Sequence, residues 1–406
     1  MFRMLSMDGG PATFTTLRLL RWIEKDSPGF LDRTSLFCGT SDGGVAALFF
    51  AYKLAGEWSG ADSTALIREA IELVDAIMVT LRPKDEHYIR LFSGRKSMYE
   101  FDALAQVLKQ FFGEEATVGD LARDVVVVTG RAHAPWGPEV YTNHRSSRHD
   151  HRLLWEIALE TCSFPVVFPL QGGHVDGALY MNNPAMVALT EVLAHRRMTG
   201  LTLDDLVLLS LGSDAGTSIL SNQHTPWNAG SISPPEVPDD LTDEQRELLE
   251  AVDQEIVDFH AFLQSDDSPL QKLEISYDGE PVYPREVGAN SEAEGSAPWG
   301  YIPWLLWPKS LIFLLQVYIN NQGIGVSRQC AQLMGNSAFR LAPAGQLATN
   351  MAFAAILLRW GGLVRRHSEL TALLWFGCGA SWPHFSPTVG EFKKWADAHW
   401  WPSPPP

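Results

Sequence analysis

The sequence predicts an α/β fold with a mostly parallel central sheet. Three observations carry this reading. Short apolar stretches alternate with helical patterning over residues 1 to 215. Two of those stretches run into glycine-rich turns that open onto helices. Val125-Val126-Val127-Val128 is an unbroken β-branched run, the mark of a buried strand.

Taken in order, Phe2-Arg3-Met4-Leu5-Ser6-Met7 reads as a first strand, running into Asp8-Gly9-Gly10-Pro11 and a helix from Thr15 to Lys25. Ser35-Leu36-Phe37-Cys38 reads as a second strand, followed by the turn Gly39-Thr40-Ser41-Asp42-Gly43-Gly44 and a helical run from Val45 to Leu54. Residues 57 to 100 mix polar and apolar side chains, as a cap or lateral helix pair would. A helix over Phe101 to Phe112 precedes the valine strand, and Ala134-Pro135-Trp136-Gly137-Pro138 reads as a loop after it.

Three short segments carry chemistry. A serine between small residues at a strand-to-helix turn is a nucleophile elbow, because the glycines let the chain turn sharply and leave Ser41 projecting over helix amides that favour negative charge. The bland reading is a glycine turn with an incidental serine. Asp8-Gly9-Gly10 presents backbone N–H groups at another strand-to-helix turn. It lacks the spacings of nucleotide loops, so an oxyanion is the better ligand than a phosphate. In Gly172-Gly173-His174-Val175-Asp176-Gly177-Ala178, followed by Asn182-Asn183-Pro184, the Asp176 carboxylate could take the serine proton directly, although Asp-Gly is also a common turn.

In this order the segments resemble the patatin-like phospholipase family, lipid acyl hydrolases with a serine-aspartate dyad. Ser6-Met7-Asp8-Gly9-Gly10 resembles its oxyanion loop, Gly39-Thr40-Ser41-Asp42-Gly43 its elbow, and Asp176-Gly177-Ala178 its acid motif. The stretch from Trp155 to Pro165, leading to Phe168-Pro169, resembles the segment before that acid. Val207 to Gly212 resembles the strand after it, and Arg328 to Pro343 is fainter. The resemblance implies a three-layer α/β/α patatin-like fold, Ser41 as nucleophile and Asp176 as general base; Cys and His do not group with metal-ligand spacing, so neither metal nor cofactor is expected. Gly9, Gly10 and the amide of Asp42 would form the oxyanion hole, with Gly39, Gly43 and Gly177 as the glycines that shape the turns. It further implies a phospholipid or other acyl-ester substrate. A carboxylate is a weak base, so Asp176 has to be desolvated, and Phe164, Val166, Val167 and Phe168 are candidate walls.

This sequence departs from the family at Pro11 and Thr13, where a third glycine and then an arginine are usual. Proline has no N–H, which removes one oxyanion donor. A catalytically weakened domain that binds lipid or a regulatory partner is therefore the runner-up. A Ser-His-Asp triad using His384 or His399 is a further alternative, and His174, two residues before the acid, reads better as a hydrogen-bonded loop residue.

The chain has 406 residues and a formal net charge of −17, which argues against a nucleic-acid partner. Its densest basic cluster, Arg145 to Arg152, reads as a solvated loop, with headgroup phosphate binding as the alternative. Cys38, Cys162, Cys330 and Cys378 are scattered and read as reduced core residues of a cytoplasmic protein, and residues 1 to 7 read as a strand instead of a leader. Domain organisation reads as a catalytic core over 1–215, an acidic linker and amphipathic helix over 216–300, and a helical Trp-rich cap over 301–406. From Glu236 to Asp258 there are ten acidic residues and one basic, interleaved with apolar residues at helical spacing. Trp299, Tyr301, Trp304 and Trp307, before Leu311 to Leu315, suit either peripheral membrane contact or a buried lid over the pocket, and the same two readings hold for Trp400 and Trp401. The sequence is silent on oligomeric state.

Overall fold

The computed structural model describes residues 1–10, 13–54, 63–80, 97, 99–144, 149–165, 167–195, 200–212, 322, 325–327, 329–341 and 389–401. The acidic helix, the tryptophans between 299 and 307, Pro11, Val166, Arg145 to Arg148, Cys378 and His384 lie outside these residues. Apart from Val389, the described chain belongs to one compact unit, drawn from Met1–Ser213, Gln322–Ala342 and Gly390–Pro406.

Among the described residues its centre is a seven-stranded sheet. Strands β1 (Phe2–Met7), β2 (Leu36–Thr40), β3 (Asp124–Arg131), β4 (Gly137–Thr142), β5 (His174–Asp176), β6 (Leu206–Leu211) and β7 (Ala338–Leu341) are ordered β4-β3-β2-β1-β6-β7, with β5 paired to β3. β1 pairs in parallel with β2 and β6, as do β2 with β3 and β6 with β7. β4 and β5 are antiparallel to β3. The central strands are buried along their length, as parallel strands covered on both faces must be, which is why they read as continuous apolar runs.

The helices cover both faces. Among the described residues they include α1 (Thr13–Asp26), α2 (Asp42–Lys53), α3 (Ser63–Thr80), α4 (Asp102–Phe112), α5 (Leu154–Thr161), α6 (Ala178–Met181), α7 (Ala185–Ala194) and α8 (Val389–Trp395). On one face Met4, Leu36, Cys38, Val126, Leu206 and Leu208 pack against Ala185, Ala188, Leu189 and Val192 of α7 and against Val326, Cys330 and Met334. Alternate residues point to the other face. There Phe37 meets Phe50 of α2, and Phe49 meets Phe111 and Phe112 of α4.

Two sequence readings change. The stretch Ala134 to Pro138 is a loop only in part: Gly137 and Pro138 begin β4, an edge strand where a missing N–H is tolerated. Arg152 is no solvated cation, because it turns inward to Glu160 (2.6 Å) and lies over the Tyr141 ring. Cys38, Cys162 and Cys330 are buried free thiols. No helix among the described residues is long and apolar enough to cross a membrane.

Of the two readings of Trp400, burial holds. A π-helical turn (Ala396–Trp400) follows α8 and drives Trp400 into the unit with 0% exposure. There it stacks on Phe30 (centroids 4.3 Å apart), while its carbonyl accepts from Arg3 Nε at 2.7 Å. Removing a fully buried indole leaves a large cavity, so Trp400→Ala is expected to lower unfolding free energy by about 3–5 kcal/mol in a urea titration. Trp400→Phe, which keeps the stack and removes an indole N–H that has no acceptor, is expected to lose much less.

Candidate active site

Strand β2 ends at Thr40, and the next residue leaves the sheet. Ser41 has φ 54° and ψ −129°, the only non-glycine residue with positive φ among those described. Such a conformation costs about 1–3 kcal/mol and persists only where neighbours enforce it. They do. A Cβ on Gly39 would fall on the Gly43 carbonyl, and one on Gly43 would fall on the carbonyls of Met7 and Asp8, so the first turn of α2 lies directly on the ends of β1 and β2. The Ser41 N–H donates to Thr161 Oγ1 (2.8 Å), whose own hydroxyl donates to the Val128 carbonyl (2.7 Å). Thr161 thereby ties the elbow to β3.

Sheet topology brings the acid to the serine. β2 pairs with β3 as far as Thr40 opposite Val128; β5 then takes over the same side of β3, with Asp176 opposite Thr129. Thr40, the residue before the serine, and Asp176 therefore occupy adjacent register positions along β3. Gly177 lets the chain leave β5 against the Val128 carbonyl, where any Cβ would clash. The Ser41 hydroxyl donates to Asp176 Oδ2 at 2.7 Å, and Asp176 Oδ1 accepts from the Ala178 N–H at 2.8 Å. Ser41 is 8% exposed and Asp176 2%. Burial raises the Asp176 carboxyl to about 7 against the two hydrogen bonds that lower it, and the neighbouring Asp42 carboxylate adds to the rise. Asp42 is itself raised by burial to about 6, and the Cys162 thiol donates to its Oδ1 at 3.8 Å.

The glycine turn lies beside this pair. A Cβ on Gly9 would come within 2.8 Å of Ser41 Cβ, and Gly10 has φ 113°, a conformation that favours glycine. The Gly9 N–H donates to the Asn182 carbonyl at 3.2 Å, so serving an oxyanion requires it to leave that acceptor. The Asp42 N–H, in the first turn of α2, has no carbonyl one turn back. Such a set can deprotonate a hydroxyl, direct it at a carbonyl and hold the resulting charge.

The other candidates lie apart from the serine. His174 faces Glu160, Nδ1 to Oε1 3.5 Å, inside a buried group where Tyr141 and Arg152 also bond that carboxylate. His399 lies tilted beside the Trp395 ring, centroids 6.0 Å apart. The hydroxyl and carboxylate are in direct contact, which leaves no room between them for an imidazole. Of the expected walls, Phe168 is 7% exposed and stacks on Phe101 (5.3 Å), while Phe164 and Val167 are half-buried.

Sequence reasoning gave no individual role to three residues in segments it had marked. Thr161 had no signal beyond its place before Cys162. Asn183 is fully buried; its Oδ1 accepts from the Ala185 N–H (3.0 Å) and its Nδ2 donates to Ser327 Oγ (3.1 Å). Arg340, on β7, reaches Asp8.

Residues 5–189 match the family model described as patatin-like phospholipase. CotR of Bacillus subtilis (strain 168) is 21% identical over 57% of this chain and 70% of its own length. The 85/88 kDa calcium-independent phospholipase A2 of Mus musculus is 28% identical over 47% of this chain and 23% of its own, and the cGAMP-activated phospholipase of Vibrio cholerae is 30% identical over 47% and 57%. The chain thus spans less than two thirds of these last two proteins.

Proposed function

We propose that this chain, whose residues 5–189 form a patatin-like phospholipase domain on the patatin fold, is a lipid acyl hydrolase that works through Ser41 and Asp176. The family supports hydrolysis of lipid acyl esters in general; the residue roles are our reading. Asp176 Oδ2 accepts the Ser41 proton as Oγ attacks the ester carbonyl. The amides of Gly10 and Asp42, joined by that of Gly9 once it leaves the Asn182 carbonyl, hold the oxyanion, and the proton passes to the departing alcohol. Water then attacks the acyl-enzyme, giving its proton to Asp176, which returns it to Ser41 Oγ as the fatty acid departs. Substrate would be a phospholipid or a related acyl ester, met at the surface of a membrane by a cytoplasmic protein.

One observation carries the reading: a 2.7 Å bond from a strained serine to a carboxyl whose proton affinity burial has raised into the range of a working base. A fluorophosphonate probe tests it. The wild type is expected to be labelled and Ser41→Ala is not, while membranes incubated with wild type accumulate lysophospholipid and free fatty acid. A wild type that takes no label and releases no fatty acid would favour the lipid-binding alternative. Labelling that survives in Ser41→Ala would remove Ser41 from the chemistry.

A further inference from the structure

We infer that Arg340 is a positioning residue for catalysis: from the C-terminal strand β7, outside the family match, its guanidinium fixes Asp8 and so holds the Gly9-Gly10 turn against Ser41. This rests on the hydrolase reading above and extends it to a part of the chain 332 residues away from the loop it serves.

The path is continuous. Across the sheet Ser6, Ser210 and Arg340 share one register row on β1, β6 and β7. The Arg340 side chain runs back over β6 instead of out to solvent. Its Nη1 donates to Ser210 Oγ (2.6 Å) and to Asp8 Oδ1 (3.0 Å), and its Nη2 donates to Asp8 Oδ2, a bidentate fork on one carboxylate. Arg340 is 7% exposed and Asp8 3%. The slot exists because Gly212, two residues beyond Ser210, has no side chain; a Cβ there would fall on the guanidinium.

On the other side of Asp8 the chain has little freedom. Its N–H is bonded to the Leu211 carbonyl (3.1 Å), and the following Gly9 lies within Cβ contact of Ser41 and bonds the Asn182 carbonyl. Ser210 also reaches Asn183 Oδ1 (3.5 Å), in the segment that follows Asp176. One buried polar chain therefore joins the glycine turn, the last core strands and the acid segment. Loss of Arg340 leaves the Asp8 carboxylate buried without its cation, and the turn shifts to rehydrate it. A shift of about 1 Å in groups that must meet a developing charge costs on the order of 100-fold in rate.

The test uses the full-length protein and a soluble activated ester. Arg340→Lys keeps the charge without the fork, Gly212→Ala pushes the fork aside without changing charge, and Asp8→Asn removes the partner at constant shape. Each is expected to lower kcat about 100-fold with KM changed less than about 3-fold. The rate of fluorophosphonate labelling at Ser41 is expected to fall in step. In Arg340→Ala, added methylguanidinium is expected to recover part of the lost kcat. A merely structural ion pair would lower the melting temperature and leave kcat of the folded variants near wild type, and that result overturns the inference. A wild type without turnover or labelling is a separate outcome: it defeats the hydrolase reading itself, and this inference with it.

Discussion

Replacing Asp176 by asparagine is expected to lower kcat/KM for an activated ester about 1,000- to 10,000-fold while making the protein more stable at pH 8. Both effects have one cause. The carboxyl is buried beside Asp42 and titrates near 7, where an ordinary aspartate titrates near 3.8. Below the lower value the group is protonated folded and unfolded, and contributes no pH dependence. Between the two values the unfolded chain gives up its proton and the native protein retains it, so stability falls as pH rises through this window. Above about 7 the native protein bears the full cost of a buried charge. The gap between the two values corresponds to about 4 kcal/mol with the Ser41 and Ala178 hydrogen bonds already counted in it, so the expected gain from Asp176→Asn is at most about 4 kcal/mol at pH 8. Paired urea titrations at pH 4 and pH 8 check it: the difference between variant and wild type should be small in the first and large in the second. Activity runs the other way. A base must be unprotonated to accept the serine proton, so wild-type kcat/KM should rise about tenfold per pH unit on the acid side and level off above about 7. Asp42→Asn, which removes the neighbouring charge, should move that limb to lower pH. If Asp176→Asn keeps full activity, the base is elsewhere; if it destabilises equally at both pH values, the carboxyl is not a buried charge.

That an elbow and an acid motif can be read from the sequence, yet their meeting cannot, follows from where the information lies. Gly39-Thr40-Ser41-Asp42-Gly43 is legible because strand, turn and helix are all local, although observed α2 begins at Asp42, three residues before the expected Val45. Helices α1 and α4 fall within two residues of the expected Thr15 to Lys25 and Phe101 to Phe112. The strands at Phe2, Leu36, Val125 and Val207 were legible because burial on both faces leaves a continuous apolar run. The contact between Ser41 and Asp176 depends on β5 continuing the edge that β2 vacates, a pairing 135 residues apart with no local trace. Strand β4 was half hidden because Gly137 and Pro138 are turn signals that an edge strand happens to tolerate. Arg340 and Thr161 look like ordinary strand and helix residues. Their roles exist only in the folded register, through Asp8 and through the Ser41 N–H. Trp400 was ambiguous for a different reason: tryptophan suits a lipid boundary and a core equally, and only the stack on Phe30 decides.

Gly39→Ala is expected to do more damage than any loss of a polar contact described here, even though it adds one methyl group. At Gly39 the added carbon would lie on the Gly43 carbonyl and 2.5 Å from the Gly44 N–H nitrogen, both backbone atoms in the first turn of α2. Side chains can rotate out of a clash; this turn cannot. Moving it outward separates Gly43 from the Met7 and Asp8 carbonyls on which it sits, and pulls Gly44 from Val127 and Thr161. Ser41 lies between, held at φ 54° by those same contacts, so release of the turn lets it relax to an ordinary conformation with its hydroxyl away from Asp176. The expected result is a loss of about 3 kcal/mol or more of stability, by the overpacking cost plus the broken Thr161 bond, together with loss of at least about 1,000-fold in activity in whatever folds. Gly113→Ala is the control. Its φ of 84° and ψ of 166° strain alanine, at a cost of about 1–3 kcal/mol, but a Cβ there meets nothing within 4 Å, so kcat should be unchanged. Circular dichroism melting and ester turnover on the two variants separate the effects. An active, stable Gly39→Ala would mean that the elbow is looser than its contacts imply, and that the strain at Ser41 is not what aims the hydroxyl.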